Sequence, residues 1–161
     1  MKATEVSVVF VCLGNICRSP LAEGFFRDLV EKAGLSDRIV IDSAGTSNYH
    51  IGELPDRRAR DAARRRGIEL TSRARQLNRA DLDRFDFVIV MDSDNQRDVE
   101  RLANGNCKAR IYRLLDYADS FDVQDVPDPY YGGPEGFELV CDLVEHACER
   151  LLKHIREQNG W

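Results

Sequence analysis

The chain has 161 residues, 43% of them hydrophobic, which suffices for one sizeable core and leaves too little for a second, so residues 1–161 read as a single domain. With 23 basic and 28 acidic residues the formal net charge is -5, which excludes a general electrostatic attraction to nucleic acid or to an anionic membrane. No run approaches the roughly 18 apolar residues that span a bilayer, and residues 1–5, followed by a short valine run, lack a signal-peptide cleavage pattern, so the expected compartment is the cytoplasm.

In chain order, residues 6–11 form an almost unbroken β-branched run that stops at Cys12, the pattern of a strand covered on both faces in a parallel sheet. Pro20 suits a first helical turn with Ser19 as its N-cap, and Leu21, Phe25, Phe26, Leu29 and Val30 recur at helical spacing. A second strand is expected over 38–43. An irregular stretch through Gly45, Gly52 and Pro55 then leads to an arginine-rich helix ending near Gly67. A third strand is expected over 87–90, a helix over 93–103 and a fourth strand over 109–113. The polar loop 116–134 carries Pro127, Pro129, Gly132, Gly133 and Pro134, and a last helix over 135–155 has an apolar stripe that includes Cys141 and Cys148. Strands alternating with helices predict an α/β fold: one four-stranded, mostly parallel sheet with helices on both faces.

Five cysteines, an odd number without C-x-x-C spacing, suggest neither a disulfide framework nor a four-ligand zinc site, so reduced thiols are expected and no metal or cofactor is implied. Cys107, Cys141 and Cys148 read as structural. Cys12 and Cys17 stand apart, because in parallel sheets ligands bind at the carboxyl ends of strands, and that place holds Cys12-Leu13-Gly14-Asn15-Ile16-Cys17-Arg18-Ser19-Pro20. N–H groups of a tight loop feeding a helix N-terminus form an anion cradle, with Gly14 and Asn15 best able to take left-handed conformations. Arg18 adds a planar fork for two phosphoryl oxygens, and the same positive surroundings favour a nucleophilic thiolate at Cys12. Cysteine followed six positions later by arginine recurs by chance; here the buried strand, the Gly-Asn pair and the Ser-Pro helix start each meet a separate need of one reaction.

This segment resembles the phosphate-binding loop of the low-molecular-weight protein tyrosine phosphatases. The resemblance extends through Asp42-Ser43-Ala44-Gly45, Ala74-Arg75-Gln76-Leu77, Met91-Asp92 with Asn95, and Asp128-Pro129-Tyr130-Tyr131-Gly132, and so covers essentially the whole chain. It implies hydrolysis of phosphotyrosine-type monoesters through a cysteinyl-phosphate, with protein substrates, no cofactor, and a monomer or weak self-association. It makes Cys12 the nucleophile, Arg18 and residues 13–19 the phosphate site, and Asp128 the acid that protonates the leaving oxygen and later activates water. It further implies that Asn15, Ser19 and Ser43 support the loop, with Ser19 stabilising the departing thiolate, and that Tyr49, Tyr130 and Tyr131 line the mouth. Where some members carry a histidine in the supporting network, this chain has Ser72. Asp92 is as well explained by a helix N-cap as by catalysis.

His50 reads as structural or solvent-facing, and the arginines at 57, 58, 60, 64, 65 and 66 as a solvated face. Cys17, five residues from Cys12 in a tightly curled loop, is a candidate redox partner for it. Three other readings share the scaffold: a thiol-linked arsenate reductase, which needs two further relay cysteines and finds none over 80–95; a protein-arginine phosphatase, against which Ile16, Tyr130 and Tyr131 argue; and a non-catalytic phospho-ligand or redox module, which need not keep both Cys12 and Asp128.

Overall fold

The computed structural model describes residues 5–118 and 123–161; the expected polar start and part of the 116–134 loop lie outside them. Strand β1 (Val6–Cys12) lies inside the sheet, pairing with β2 (Ile39–Gly45) on one side and β3 (Phe87–Val90) on the other. Beyond β3 comes β4 (Arg110–Arg113), giving the order β2-β1-β3-β4 with every pairing parallel. Parallel neighbours require crossovers, and the helices that supply them cover both faces. The fold is α/β, as the alternation predicted, and the sheet is wholly rather than mostly parallel.

Period-two alternation assigns the side chains to two cores. Val6, Val8, Phe10 and Cys12 of β1, with Ile39 and Ile41 of β2, face a layer built from α1 (Arg18–Lys32), α2 (Arg57–Arg64) and α5 (Pro134–Asn159). Val9, Val11, Val88 and Val90 face the other layer, where Leu82 of α3 (Asp81–Arg84) and Val99 and Ala103 of α4 (Ser93–Ala103) pack. Cys12 therefore ends β1 pointing toward α1 and α5. Cys141 and Cys148 are fully buried in the same layer, where burial pushes the Cys141 thiol up to about 11, in keeping with a structural role.

Two local expectations are corrected and one short element is added. Helix α1 starts at Arg18 with Cys17 as an N-cap that offers no side-chain bond, so Ser19 sits inside the first turn and its hydroxyl is free for other partners. Asn15 has φ 56, whereas Gly14 is not among the positive-φ glycines. Space explains Gly14 better than conformation, because a Cβ there would meet the His50 ring at 3.0 Å. The short helix α3 was not foreseen: four residues are too few to establish a period.

Candidate active site

The loop from Cys12 to Arg18 closes on itself because its carbonyls are pulled outward. Cys12 O accepts from Thr46 N at 2.9 Å, Leu13 O from Ser47 N at 3.0 Å and Ser47 Oγ at 2.8 Å, and Ile16 O from Asp56 N at 2.7 Å. In a trans peptide the C=O and the following N–H point in opposite directions, so the amides of Leu13, Gly14 and Cys17 are turned inward. Gly45 allows the approach, since a Cβ there would lie 2.8 Å from Leu13 O and 3.2 Å from Asn15 N. The result is a ring of donors at the N-terminus of α1.

Within this ring the Cys12 Sγ lies 3.0 Å from Ser19 Oγ and accepts from Asn15 N at 3.3 Å. Asn15 Nδ2 donates to Ser19 Oγ at 2.8 Å and to Ser43 Oγ at 3.0 Å, while its Oδ1 accepts from Arg75 N at 3.0 Å. These are the three residues that the resemblance placed in the supporting network, and all are buried. Ser72 makes no hydrogen bond to the described residues; it lines a separate groove between α1 and residues 67–72.

Arg18, 3% exposed, is held from below. Its Nη1 donates to Asp92 Oδ2 at 2.5 Å and to Val126 O at 3.0 Å, and Nη2 stands 3.8 Å from Asp128 Oδ2. Burial alone would lower its pKa, but the Cys12 sulfur, Asp92 and Asp128 outweigh that and raise it, so the guanidinium stays charged. Asp92 also accepts from Asn95 N at 2.8 Å, which makes it both the N-cap of α4 and the brace of Arg18.

These side chains border a cavity of about 170 Å³ lined by Cys12, Arg18, Ile16, Cys17, Asp128 and the ring of Tyr49, His50, Tyr130 and Tyr131. The opening is aromatic and exposed, with Tyr131 92% accessible. His50 belongs to this rim and is also tied locally: its Nδ1 is 2.8 Å from Glu53 Oε2 and its ring lies beside Tyr130. Cys17 is buried at the cavity wall, where burial and the Asp56 carboxylate push its thiol far above the ordinary value.

The arginine-rich helix is not merely solvated. Arg58 donates to both oxygens of Asp56 and to Tyr130 O at 2.9 Å, and its guanidinium lies over the rings of Tyr130 and Phe137. Arg66 pairs with Glu138, Asp142 and Glu145, pinning the chain after α2 to α5. Sequence reasoning missed Arg58 as a tether because six arginines in ten residues give no sign of which one meets a loop more than seventy positions away.

A cysteine at the end of the first parallel strand, seated in an amide ring with a buried arginine, defines the class of cysteine-based phosphatases. A family model described as low molecular weight phosphotyrosine protein phosphatase matches residues 7–160, and the chain belongs to that family: it is a protein tyrosine phosphatase, a hydrolase. It is 47% identical over 154 residues to the low molecular weight protein-tyrosine-phosphatase YfkJ of Bacillus subtilis, covering 95% of this chain and 97% of that one. The crystal structure of YfkJ superposes with a TM-score of 0.92 over 98% of this chain and 99% of that one, at 45% identity. The human low molecular weight phosphotyrosine protein phosphatase is 43% identical over 157 residues, 94% of this chain and 96% of that one. A Drosophila arginine phosphatase structure also matches, at 31% identity and a TM-score of 0.88 over 92% of this chain and 97% of that one.

Proposed function

We propose that the chain hydrolyses phosphotyrosine side chains of protein substrates with Cys12 as nucleophile, Arg18 and the loop 13–19 as the phosphate clamp, and Asp128 as acid and then base. The observation that carries this reading is the single cavity in which Cys12, Arg18 and Asp128 meet. The Ser19 hydroxyl lies 3.0 Å from Cys12 Sγ, the Asn15 N–H donates to that sulfur, and the Arg18 guanidinium borders the same cavity, surroundings of the kind that suit a cysteine nucleophile. In the first step the sulfur attacks phosphorus, the P–O bond to the phenol breaks, and the Asp128 carboxyl gives its proton to the departing oxygen. The resulting carboxylate then takes a proton from water as that oxygen attacks phosphorus; the P–S bond breaks, phosphate leaves and the thiolate is restored. Leu13, Gly14 and Cys17 amides with the Arg18 fork stabilise the equatorial oxygens throughout, in a ring that needs no reorganisation.

A phenolic leaving group suits an aromatic mouth, so the rim of Tyr49, Tyr130 and Tyr131 and the apolar Ile16 favour phosphotyrosine over phosphoarginine. The test is an assay of phosphotyrosine, phosphoserine and phosphoarginine peptides on wild type and Cys12→Ser, with chelator present. Wild type turns over phosphotyrosine most rapidly; Cys12→Ser is inactive yet still binds phosphate or vanadate. Activity that survives the substitution, or that requires added divalent metal, removes the mechanism.

The other parts of the reading are one domain over 1–161, a cytoplasmic setting, and a monomer or weakly associating protein. No helix among the described residues is long and apolar enough to cross a membrane. Cys17 serves as redox partner: peroxide oxidises the Cys12 thiolate to a sulfenic acid with loss of hydroxide, and the Cys17 sulfur displaces that oxygen as water to form the disulfide. Because Cys17 is held as the thiol, capture quickens as pH rises. Intact mass shows loss of two hydrogens only when both cysteines are present; recovery of peroxide-treated Cys17→Ser as complete as that of wild type rejects the pairing.

A further inference from the structure

We propose that Glu23 is a positioning residue whose carboxylate, by fixing the Ser43 hydroxyl, anchors the Asn15 amide in the hydrogen-bonded chain that ends on the Cys12 sulfur. Glu23 lies in α1 one turn beyond Ser19 and is 7% exposed, an acid amid Leu21, Ala22, Phe25 and Phe26. One oxygen accepts from Ser43 Oγ at 2.5 Å; the other accepts from Arg27 Nη2 at 2.8 Å, and Arg27 is fixed in turn on Ile41 O at 3.1 Å. A buried carboxylate is stable only when so paired.

The direction follows from counting protons. An ionised carboxylate only accepts, so the single hydroxyl proton of Ser43 is committed to Glu23 and Ser43 Oγ faces Asn15 as an acceptor. The Asn15 amide cannot be reversed, because Arg75 N–H donates to its Oδ1. Its two Nδ2 protons are therefore given to Ser43 and Ser19, which leaves the Ser19 proton for the sulfur 3.0 Å away. Glu23 at one end and the Arg75 amide at the other remove each alternative hydroxyl orientation, so Ser19 is a standing donor to Cys12 both as the nucleophile forms and as it departs from phosphorus. Without the carboxylate the Ser43 hydroxyl is buried without an acceptor, the tether on left-handed Asn15 slackens, and the Ser19 proton is no longer held on the sulfur.

The inference rests on Cys12 as nucleophile, so the experiment follows the sulfur itself as well as turnover. The rate of Cys12 alkylation by iodoacetamide, read by peptide mass, is measured for wild type, Glu23→Ala, Glu23→Gln, Ser43→Ala and the double variant, beside kcat for an aryl phosphate, the inhibition constant of inorganic phosphate, and Tm. Glu23→Ala is expected to slow both alkylation and kcat about tenfold, the loss of one charge-assisted hydrogen bond, with phosphate affinity much less affected. Glu23→Gln, which still offers an amide oxygen to Ser43, recovers most of the loss. The double variant is no slower than Ser43→Ala, because the two act through one chain. A wild-type alkylation rate in Glu23→Ala, whatever its Tm, overturns the proposal, as do losses that add in the double variant. If Glu23→Ala does not fold, Ser43→Ala decides: it leaves Glu23 paired with Arg27, and an undiminished alkylation rate there is equally fatal. Turnover surviving in Cys12→Ser would instead strike the catalytic reading and leave the alkylation result standing.

Discussion

The two loops that meet at the cavity are built on opposite principles. The phosphate loop is buried and crossed by hydrogen bonds: Cys12, Asn15, Arg18 and Ser19 are each almost inaccessible, and partners come from β2, from residues 46, 47, 56 and 75, and from Asp92. The acid loop is largely exposed, and among the described residues its ties are spread along it, with Arg18 on Val126 O and Ser93 and Arg113 on Asp125. Asp128 Oδ1 accepts from Tyr130 N at 3.0 Å, Gly132 N reaches Pro129 O, Val126 N reaches Met91 O, and Arg58 ties Tyr130 O to α2. A loop that must hold a thiolate and a pentacoordinate phosphorus benefits from rigidity, since preorganised donors cost no reorganisation as charge develops. A loop that must admit a protein side chain and then cover it is better held by separable surface tethers.

That contrast can be broken most severely at the acid. Asp128→Ala is expected to slow phosphoryl transfer from esters with poor leaving groups by about 10²–10⁴-fold and from good leaving groups far less, measured over a series of substituted phenyl phosphates. Uniform slowing across the series would show a structural aspartate. Arg58→Met probes the tether rather than the acid: kcat for poor leaving groups falls about tenfold, phosphate inhibition is little changed, and amide exchange rises over 128–133 while the phosphate loop stays protected. Unaltered exchange there would mean that the acid loop does not depend on Arg58.

The smallest effect concerns pH. Arg58, bonded to both carboxylate oxygens, holds Asp56 below its usual value, and Asp56 N also secures Ile16 O, so this pair joins the two loops. A group whose folded pKa is depressed adds stability that is present above its unfolded value, about 3.9, and lost as pH falls through the folded one. Thermal unfolding of Asp56→Asn should therefore lie below that of wild type at neutral pH and converge with it in acid below about pH 4. A gap that is constant across that range would assign the difference to packing.

The sequence alone determined the order of the strands and of the longer helices and the place of the proposed nucleophile. β1, β3 and α5 follow from unbroken apolar runs and a long helical period, signals that local chemistry writes into consecutive residues, and the loop follows from a cysteine, a left-handed asparagine and an arginine at fixed offsets. Residues 12–19 were legible because the amide ring is made by contiguous chain. Asp128 was legible only through a motif shared with a family, for nothing within residues 123–133 says which strand end they cover. The Arg58 tether, His50 at the rim, Asp92 beneath Arg18 and the Glu23–Ser43–Asn15 chain were decided by the tertiary structure, which brings together residues from separate helices, strands and loops. Glu23 left one trace, an acid on the apolar side of α1. Periodicity can mark such a residue as out of place, but its partner lies on β2, and only the pairing of β1 with β2 beneath α1 brings the two into contact.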